Sequence, residues 1–258
     1  MAADMAIAEA VAAGDAPPTL RTYRWKPATI SLGFHQSSDD IDLKPCESQG
    51  IDVVLRPTGG RAILHADELT YSVAIPPDSR FYFPDIKSVY NVISEGLVHS
   101  LQKLDIPVEF ERAAKTPKDF SRGELSTLCY ASSVVYEIGI AGRKLVGSAQ
   151  RRIQNGVLQH GSILIGPEHL NVVDYMAKGD DRWHKAVRRY MEKNTAYLNE
   201  FRSAPIGFAD VERAIVSGFP NALDISFEPG ELTAAERQRT QALLKDFRIL
   251  ETQPDAYV

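Results

Sequence analysis

Arg56-Pro57-Thr58-Gly59-Gly60-Arg61-Ala62-Ile63-Leu64-His65, running on through Asp67-Glu68-Leu69-Thr70-Tyr71-Ser72, decides how this chain is read. It sets two adjacent glycines between two arginines, directly after the β-like run Ile51-Asp52-Val53-Val54-Leu55. Glycines at such a turn admit positive φ and let a ligand come close to main-chain N–H groups. The arginines bring fixed charge and forked donors suited to a carboxylate, a carbonyl or a phosphate. Taken alone, Gly-Gly also fits an ordinary β-hairpin connection with solvated arginines. The flanking sequence has to discriminate.

Working outward, the 258 residues suffice for one large domain, 44% of them hydrophobic and 24% charged, as in a water-soluble globular protein. A net charge of −5 argues against nucleic acid as the main partner. No apolar run reaches the roughly 20 residues needed to span a bilayer, so no membrane partner is expected. The N-terminal residues 1–14 are alanine-rich with Asp4 and Glu9, lack the basic start of a signal peptide, and read as part of the fold. Two cysteines, Cys46 and Cys129, offer neither a disulfide framework nor zinc spacing, which fits a cytoplasmic location and no metal site.

Periodicity predicts a helix over residues 4–13 with Ile7, Ala8, Val11 and Ala12 on one apolar face, ending near Gly14. Strands are predicted at 20–25, 29–32, 53–55, 62–64 and 69–75, with a short helix at 41–49 stopped by Gly50. Residues 86–104 form the clearest amphipathic helix, with Val89, Ile93, Leu97, Leu101 and Leu104 at helical spacing. Further strands are predicted at 107–110, 134–140, 144–150 and 157–165, then helices at 182–193, 209–217 and 233–247. Strands in the middle and helices afterwards point to an α+β fold with a largely antiparallel sheet. Domain organisation is read as 1–258 in a single catalytic domain, with a helical C-terminal segment from about 205.

The glycine turn and its surroundings resemble the biotin/lipoate protein ligase superfamily in its octanoyltransferase branch. Three further blocks carry the resemblance in order. Thr19-Leu20-Arg21-Thr22-Tyr23-Arg24-Trp25 with Pro27-Ala28-Thr29-Ile30-Ser31-Leu32-Gly33 is similar to that branch's first strand pair. Gly142-Arg143-Lys144-Leu145-Val146-Gly147-Ser148-Ala149-Gln150 resembles its lysine motif, and Gly156-Val157-Leu158-Gln159-His160-Gly161-Ser162-Ile163-Leu164 the strand after it. The similarity runs from about residue 3 to residue 175. It implies a central mixed sheet flanked by helices, as in class II synthetase-like folds. The chain departs from the branch in carrying Ala8 where many relatives have aspartate. Two glycines in place of the three of typical lipoate ligases favour the transferase branch, and no Gly-Arg-Gly-Arg run of the biotin ligase type is present.

By residue chemistry alone a lone cysteine is more often inert filler than a nucleophile, and Cys46 is read that way. Cys129 falls where the resembled octanoyltransferases carry their acyl-accepting cysteine, so the resemblance implies that it is the nucleophile. A thiol with an ordinary value of about 8.5 needs a neighbouring cation to be thiolate near neutrality. The resemblance puts Lys144 in that place, as a stabilising charge or a proton carrier. Small residues at Gly147 and Ser148 fit a backbone running close to a ligand. Arg56, Gly59, Gly60 and Arg61 are assigned to the acyl carbonyl or the donor's phosphopantetheine end. His65 and His160 join the binding set, each able to serve as a general base or as a structural donor. His35, His99, His169 and His184 are read as structural.

The implied function is octanoyl transfer from acyl carrier protein, through a Cys129 thioester, to a lysine of a lipoyl domain or glycine-cleavage H protein in lipoate biosynthesis, with no cofactor. A thioester donor is already activated, so ATP is not needed. Only about 50 residues follow Ala204, too few for the additional domain many ligases carry. The competing readings are an ATP-dependent lipoate–protein ligase, an octanoyl amidotransferase between lipoyl domains, and a non-catalytic binder of acylated carriers.

Overall fold

The computed structural model describes residues 1–112 and 136–252 of the chain. Helix α1 (Ala2–Ala13) opens the fold and stops at Gly14, whose φ of 82° turns its N–H back onto the carbonyls of Ala10 and Val11. Strands β1 (Thr19–Tyr23), β2 (Thr29–Leu32), β3 (Asp52–Leu55), β4 (Ile63–His65) and β5 (Glu68–Ile75) follow, with the short helix α2 (Leu43–Ser48) before β3. Helix α3 (Ile86–Gln102) precedes β6 (Glu109–Arg112), and β7 (Tyr136–Ile140), β8 (Arg143–Lys144), β9 (Val146–Ile153) and β10 (Gly156–Leu164) complete the central strands. A 3₁₀ segment, Pro167–Tyr175, leads to α4 (Asp181–Asn194), α5 (Phe208–Leu223), α6 (Ala234–Phe247) and a last strand, β11 (Arg248–Leu250).

Among the described residues the strands form three sheets, ordered β1-β5-β10-β9, β11-β3-β2-β4 and β6-β7-β8. The first and third are antiparallel throughout; β2 and β3 supply the one parallel pair, so the expected mixed, largely antiparallel α+β architecture is what forms. Helices cover both faces of the first sheet, and every residue of β5 is buried. Its odd positions, Leu69, Tyr71, Val73 and Ile75, join Val89, Ile93, Leu97 and Leu101 of α3 in the main core. The even residue Ala74 packs with Ile7, Ala8 and Val11 of α1. Two-sided burial explains why alternation is muted in this strand. Each of the four α3 side chains contributes on the order of 1.5–3 kcal/mol by leaving water.

The second sheet follows the same rule. Ile30 and Leu32 of β2 pack with Val172, Val173, Val187 and Met191 from the 3₁₀ segment and α4. Ser31, between them, is turned the other way, toward the first sheet and its cavity.

From about residue 205 the chain forms α5 and α6 and then a short strand. Leu243 of α6 packs on Ala2 and Ala6 of α1, and β11 then pairs antiparallel with β3. Three residues of strand carry too little alternation to be read from sequence. Helix α5 runs past the expected end at 217 and through Pro220 to Leu223. Proline removes the hydrogen bond to the residue four back, Val216, which is exposed and can be solvated instead.

Candidate active site

The glycine turn is organised by Arg56, which is 3% exposed. Its Nε donates to the Gly59 carbonyl at 3.1 Å, Nη2 to the Arg61 carbonyl at 2.6 Å, and Nη1 to the carbonyl and hydroxyl of Ser31 at 2.9 and 3.0 Å. A planar fork with five donors suits such a clamp, and lysine could not replace it. Gly60 has φ 92°, and a Cβ on Gly33 would lie 2.0 Å from the Gly60 carbonyl oxygen. Both glycines are therefore required by geometry: one by backbone conformation, the other by contact.

Beneath this turn lies a small cavity of about 20 Å³, its wall built from five strands and the chain start. Arg56, His65, Gly147, Ser148 and His160, all expected site residues, line it, together with Ser31, Thr70 and Ser162. Register explains the convergence: in the first sheet His160 faces Ala149 and Ser72, while Gly161 faces Ser148 and Tyr71. The Ser148 hydroxyl is held by Tyr71 at 2.8 Å, and Gln159 donates to the same phenol at 2.8 Å. Burial pushes the Tyr71 phenol up to about 12 despite those two bonds, so it stays neutral.

His160 and Thr58 tie the sheet to the turn, with Nε2 and Oγ1 2.6 Å apart. The other ring nitrogen, Nδ1, lies 3.6 Å from Oδ2 of Asp4. Burial lowers the His160 pKa against the opposing pull of that carboxylate, which favours the neutral ring. Asp4 is fully buried and bonded to Arg21 at 2.7 Å and to the Tyr23 hydroxyl at 2.6 Å. Burial alone would raise its pKa; the N-terminal ammonium, His160 and Arg21 together outweigh that and hold it well below the usual carboxylate range.

Lys144, Gly59, Gly60 and Arg61 are not among the residues of the cavity wall. The glycines and Arg61 form the turn above it. Lys144 ends β8, is 8% exposed, and its Nζ donates to Glu137 Oε1 at 2.5 Å. In the β7–β8 hairpin Lys144 faces Gly139, which has no side chain, so the lysine extends past it to Glu137. Its backbone also bridges in parallel to Thr195, and its carbonyl accepts from Ala196 N–H at 2.9 Å. Cys129, the expected nucleophile, lies outside the described residues. Cys46 is buried on α2 with Sγ 3.3 Å from the Asp42 carbonyl, and burial with the nearby Asp42 charge pushes its thiol up to about 11. An inert thiol is the expected outcome of that environment.

Sequence reasoning passed over Asp4, Ser31, Thr58, Glu68 and Glu137. Asp4 was discoverable, since it shares a helical face with Ile7, Ala8 and Val11, and a carboxylate on a buried stripe needs partners. Glu137 has no comparable signal before the hairpin register is known.

This fold and cavity place the chain in a known class. Residues 1–220 match the lipoyl protein ligase A/B catalytic domain, and the chain belongs to that family. It is an acyltransferase, with the biotin/lipoate ligase fold. Among its relatives, the octanoyltransferase LipM of Kyrpidia tusciae is 39% identical over 250 residues, spanning 96% of this chain and 90% of its own. The octanoyltransferase LipM of an Exiguobacterium species is 37% identical over 249 residues, again spanning 96% and 90%. Two solved structures share the fold. A bipartite lipoate protein ligase of Thermoplasma acidophilum, described with its E2 lipoyl domain, superposes with a TM-score of 0.74 at 21% identity, covering 95% of this chain and 87% of that one. Protein Ta0514 from the same organism, solved with bound lipoic acid, gives 0.70 at 22% identity, covering 95% and 89%.

Proposed function

We propose that this chain is an octanoyltransferase of lipoate biosynthesis. It takes octanoyl from the thioester of acyl carrier protein onto Cys129 and passes it to the ε-amine of a lysine on a lipoyl domain or H protein. The observation that carries the reading is the cavity under the Arg56-clamped glycine turn, in a chain whose relatives named octanoyltransferase match it nearly end to end. Arg61 and the turn's N–H groups would meet the acyl carbonyl or the donor's phosphopantetheine. Gly147 and Ser148 would flank the chain, and Lys144 would stabilise charge on sulfur or oxygen. Burial of an octanoyl tail supplies on the order of 5 kcal/mol at about 0.8 kcal/mol per methylene.

The chemistry needs no ATP. Thiolate attack on the donor thioester forms the octanoyl–Cys129 thioester and releases the carrier's thiol; amine attack then forms the amide and regenerates the cysteine. The relative solved with an E2 lipoyl domain supports a protein acceptor. Incubation with octanoyl–acyl carrier protein should add one octanoyl mass to the intact protein, in Cys46→Ser as in the unaltered chain, and not in Cys129→Ser. Pyrophosphate release from octanoate and ATP, undiminished in Cys129→Ala, would instead make the chain a ligase.

A further inference from the structure

The acyl-transfer reading leaves one set of buried polar groups in the cavity unused, on its β2–β4 side. Arg56 can only donate, so Ser31 Oγ accepts from Nη1 and the hydroxyl's own hydrogen is left for His65 Nε2, 2.8 Å away. In the tautomer with the hydrogen on Nδ1, His65 Nε2 is the lone-pair nitrogen that accepts the hydroxyl's. Nδ1 faces Glu68 Oε1 at 3.5 Å and Thr70 Oγ1 at 3.4 Å. Thr70 gives its hydrogen to the Glu68 carboxylate, at 2.8 and 3.0 Å from its two oxygens, and receives one from Trp25 Nε1 at 2.9 Å. The Trp25 ring also stacks on His65, with centroids 4.7 Å apart and planes 25° apart. Each group is at most 3% exposed apart from Trp25, and Ser31, His65 and Thr70 open onto the cavity.

A hydroxyl bonded to a neutral imidazole that is backed by a carboxylate can carry a proton either way. We propose that Ser31, His65 and Glu68 form the proton relay for the amide-forming half of the reaction. This rests on acyl transfer to an amine at this cavity, but not on which sulfur holds the acyl group. The neutral ε-amine attacks the thioester carbonyl and the C–N bond forms. The proton now in excess on nitrogen moves to Ser31 Oγ as Ser31 passes its own to His65 Nε2. The C–S bond breaks with its electron pair on sulfur, and the thiolate takes the proton back through Ser31. Glu68 balances the transient imidazolium, and Arg56 steadies negative charge on Ser31 oxygen. Across the cavity the charged or titratable neighbours are His160, the N-terminal ammonium of Met1 and, behind them, Asp4. Ser31 touches the reacting nitrogen; His65 and Glu68 act through it.

The test separates the two half-reactions in the full chain, using octanoyl–acyl carrier protein and an isolated lipoyl domain. In His65→Gln the octanoyl adduct should still form, its rate reporting whatever acyl binding is lost with the cavity wall that His65 lines. Transfer to the lysine should fall on the order of 10²–10⁴-fold in kcat, with KM for the lipoyl domain largely unchanged. Glu68→Gln, which keeps shape and the Thr70 contact, should lower kcat about tenfold and keeps the test open if His65→Gln does not fold. Normal kcat in both variants overturns the relay. So does equal slowing of adduct formation and transfer, which marks a structural role. Failure of the octanoyl–cysteine reading looks different: the unaltered chain forms no adduct, and overall transfer to the lysine still reports on His65 and Glu68.

Discussion

His169 offers a quantitative test of how the fold supports the lysine strand. It sits in the 3₁₀ segment, 3% exposed, with Nε2 2.8 Å from the Thr195 hydroxyl and Nδ1 3.3 Å from the Gly166 carbonyl. Thr195 is the residue that bridges to Lys144, so the histidine braces the backbone from which the lysine projects. Burial lowers its pKa from 6.5 to about 4, with the Gly166 carbonyl opposing the shift. In the folded chain the ring is therefore neutral down to about pH 4, while in the unfolded chain it takes up a proton near pH 6.5. Between those values the unfolded state binds more protons, so stability is fully present above the unfolded value and is lost as pH falls through the window. A shift of this size corresponds to about 3 kcal/mol at its fullest, with a slope approaching about 1.4 kcal/mol per pH unit. His160 and the carboxylates add their own slopes, but those are common to the unaltered chain and to His169→Gln. Urea unfolding followed by tryptophan fluorescence at several pH values between 7 and about 4.5 would give the difference directly. The His169→Gln curve should be flatter by nearly one proton, starting lower at neutral pH and converging with the unaltered chain in acid. Parallel curves would refute the reasoning, because they would mean that the ring is as easily protonated in the fold as in water.

Other expected outcomes follow from single contacts. Gly33→Ala forces a Cβ against the Gly60 carbonyl, so the turn must shift; destabilisation of about 1–3 kcal/mol and a loss of transfer at least tenfold are expected, read by thermal unfolding and the octanoyl assay. Asp4→Ala removes the acceptor shared by Arg21 and Tyr23 and the charge beside His160, and should cost about 2–4 kcal/mol by urea titration; Asp4→Asn should cost less. Glu137→Ala frees the Lys144 ammonium from its carboxylate, and the rate of octanoyl adduct formation should change by more than the midpoint of unfolding does. An unaltered rate would remove Glu137 from the lysine's environment in function.

Much of the fold could be read in advance where one interaction dominates a whole element. The α3 stripe of Val89, Ile93, Leu97 and Leu101 has helical spacing because a single face is buried, and the observed helix ends two residues short of the expected boundary. Helix α1 ends at Gly14 as its glycine requires. Expectation failed where the signal was short or shared. Strand β11 is three residues long, and the 3₁₀ segment 167–175 lacks a period that propensity would reveal. Helix α5 outran its reading by continuing through Pro220, whose missing hydrogen bond falls on the exposed residue Val216.

The site divides along the same line. By itself the sequence determined that a glycine turn between two arginines stands before two strands, that a lysine motif follows, and that the chain has the pattern of an acyl-transferring family. Those facts are local, fixed by backbone freedom and residue chemistry within a few positions. That Arg56 directs its donors onto the turn, that Lys144 meets Glu137, and that a buried chain of hydrogen bonds runs from Ser31 through His65 and Thr70 to Glu68 follows from three-dimensional packing alone. These depend on register between strands distant in sequence, where a shift of one residue would turn Ser31 into the core and Ile30 into the cavity.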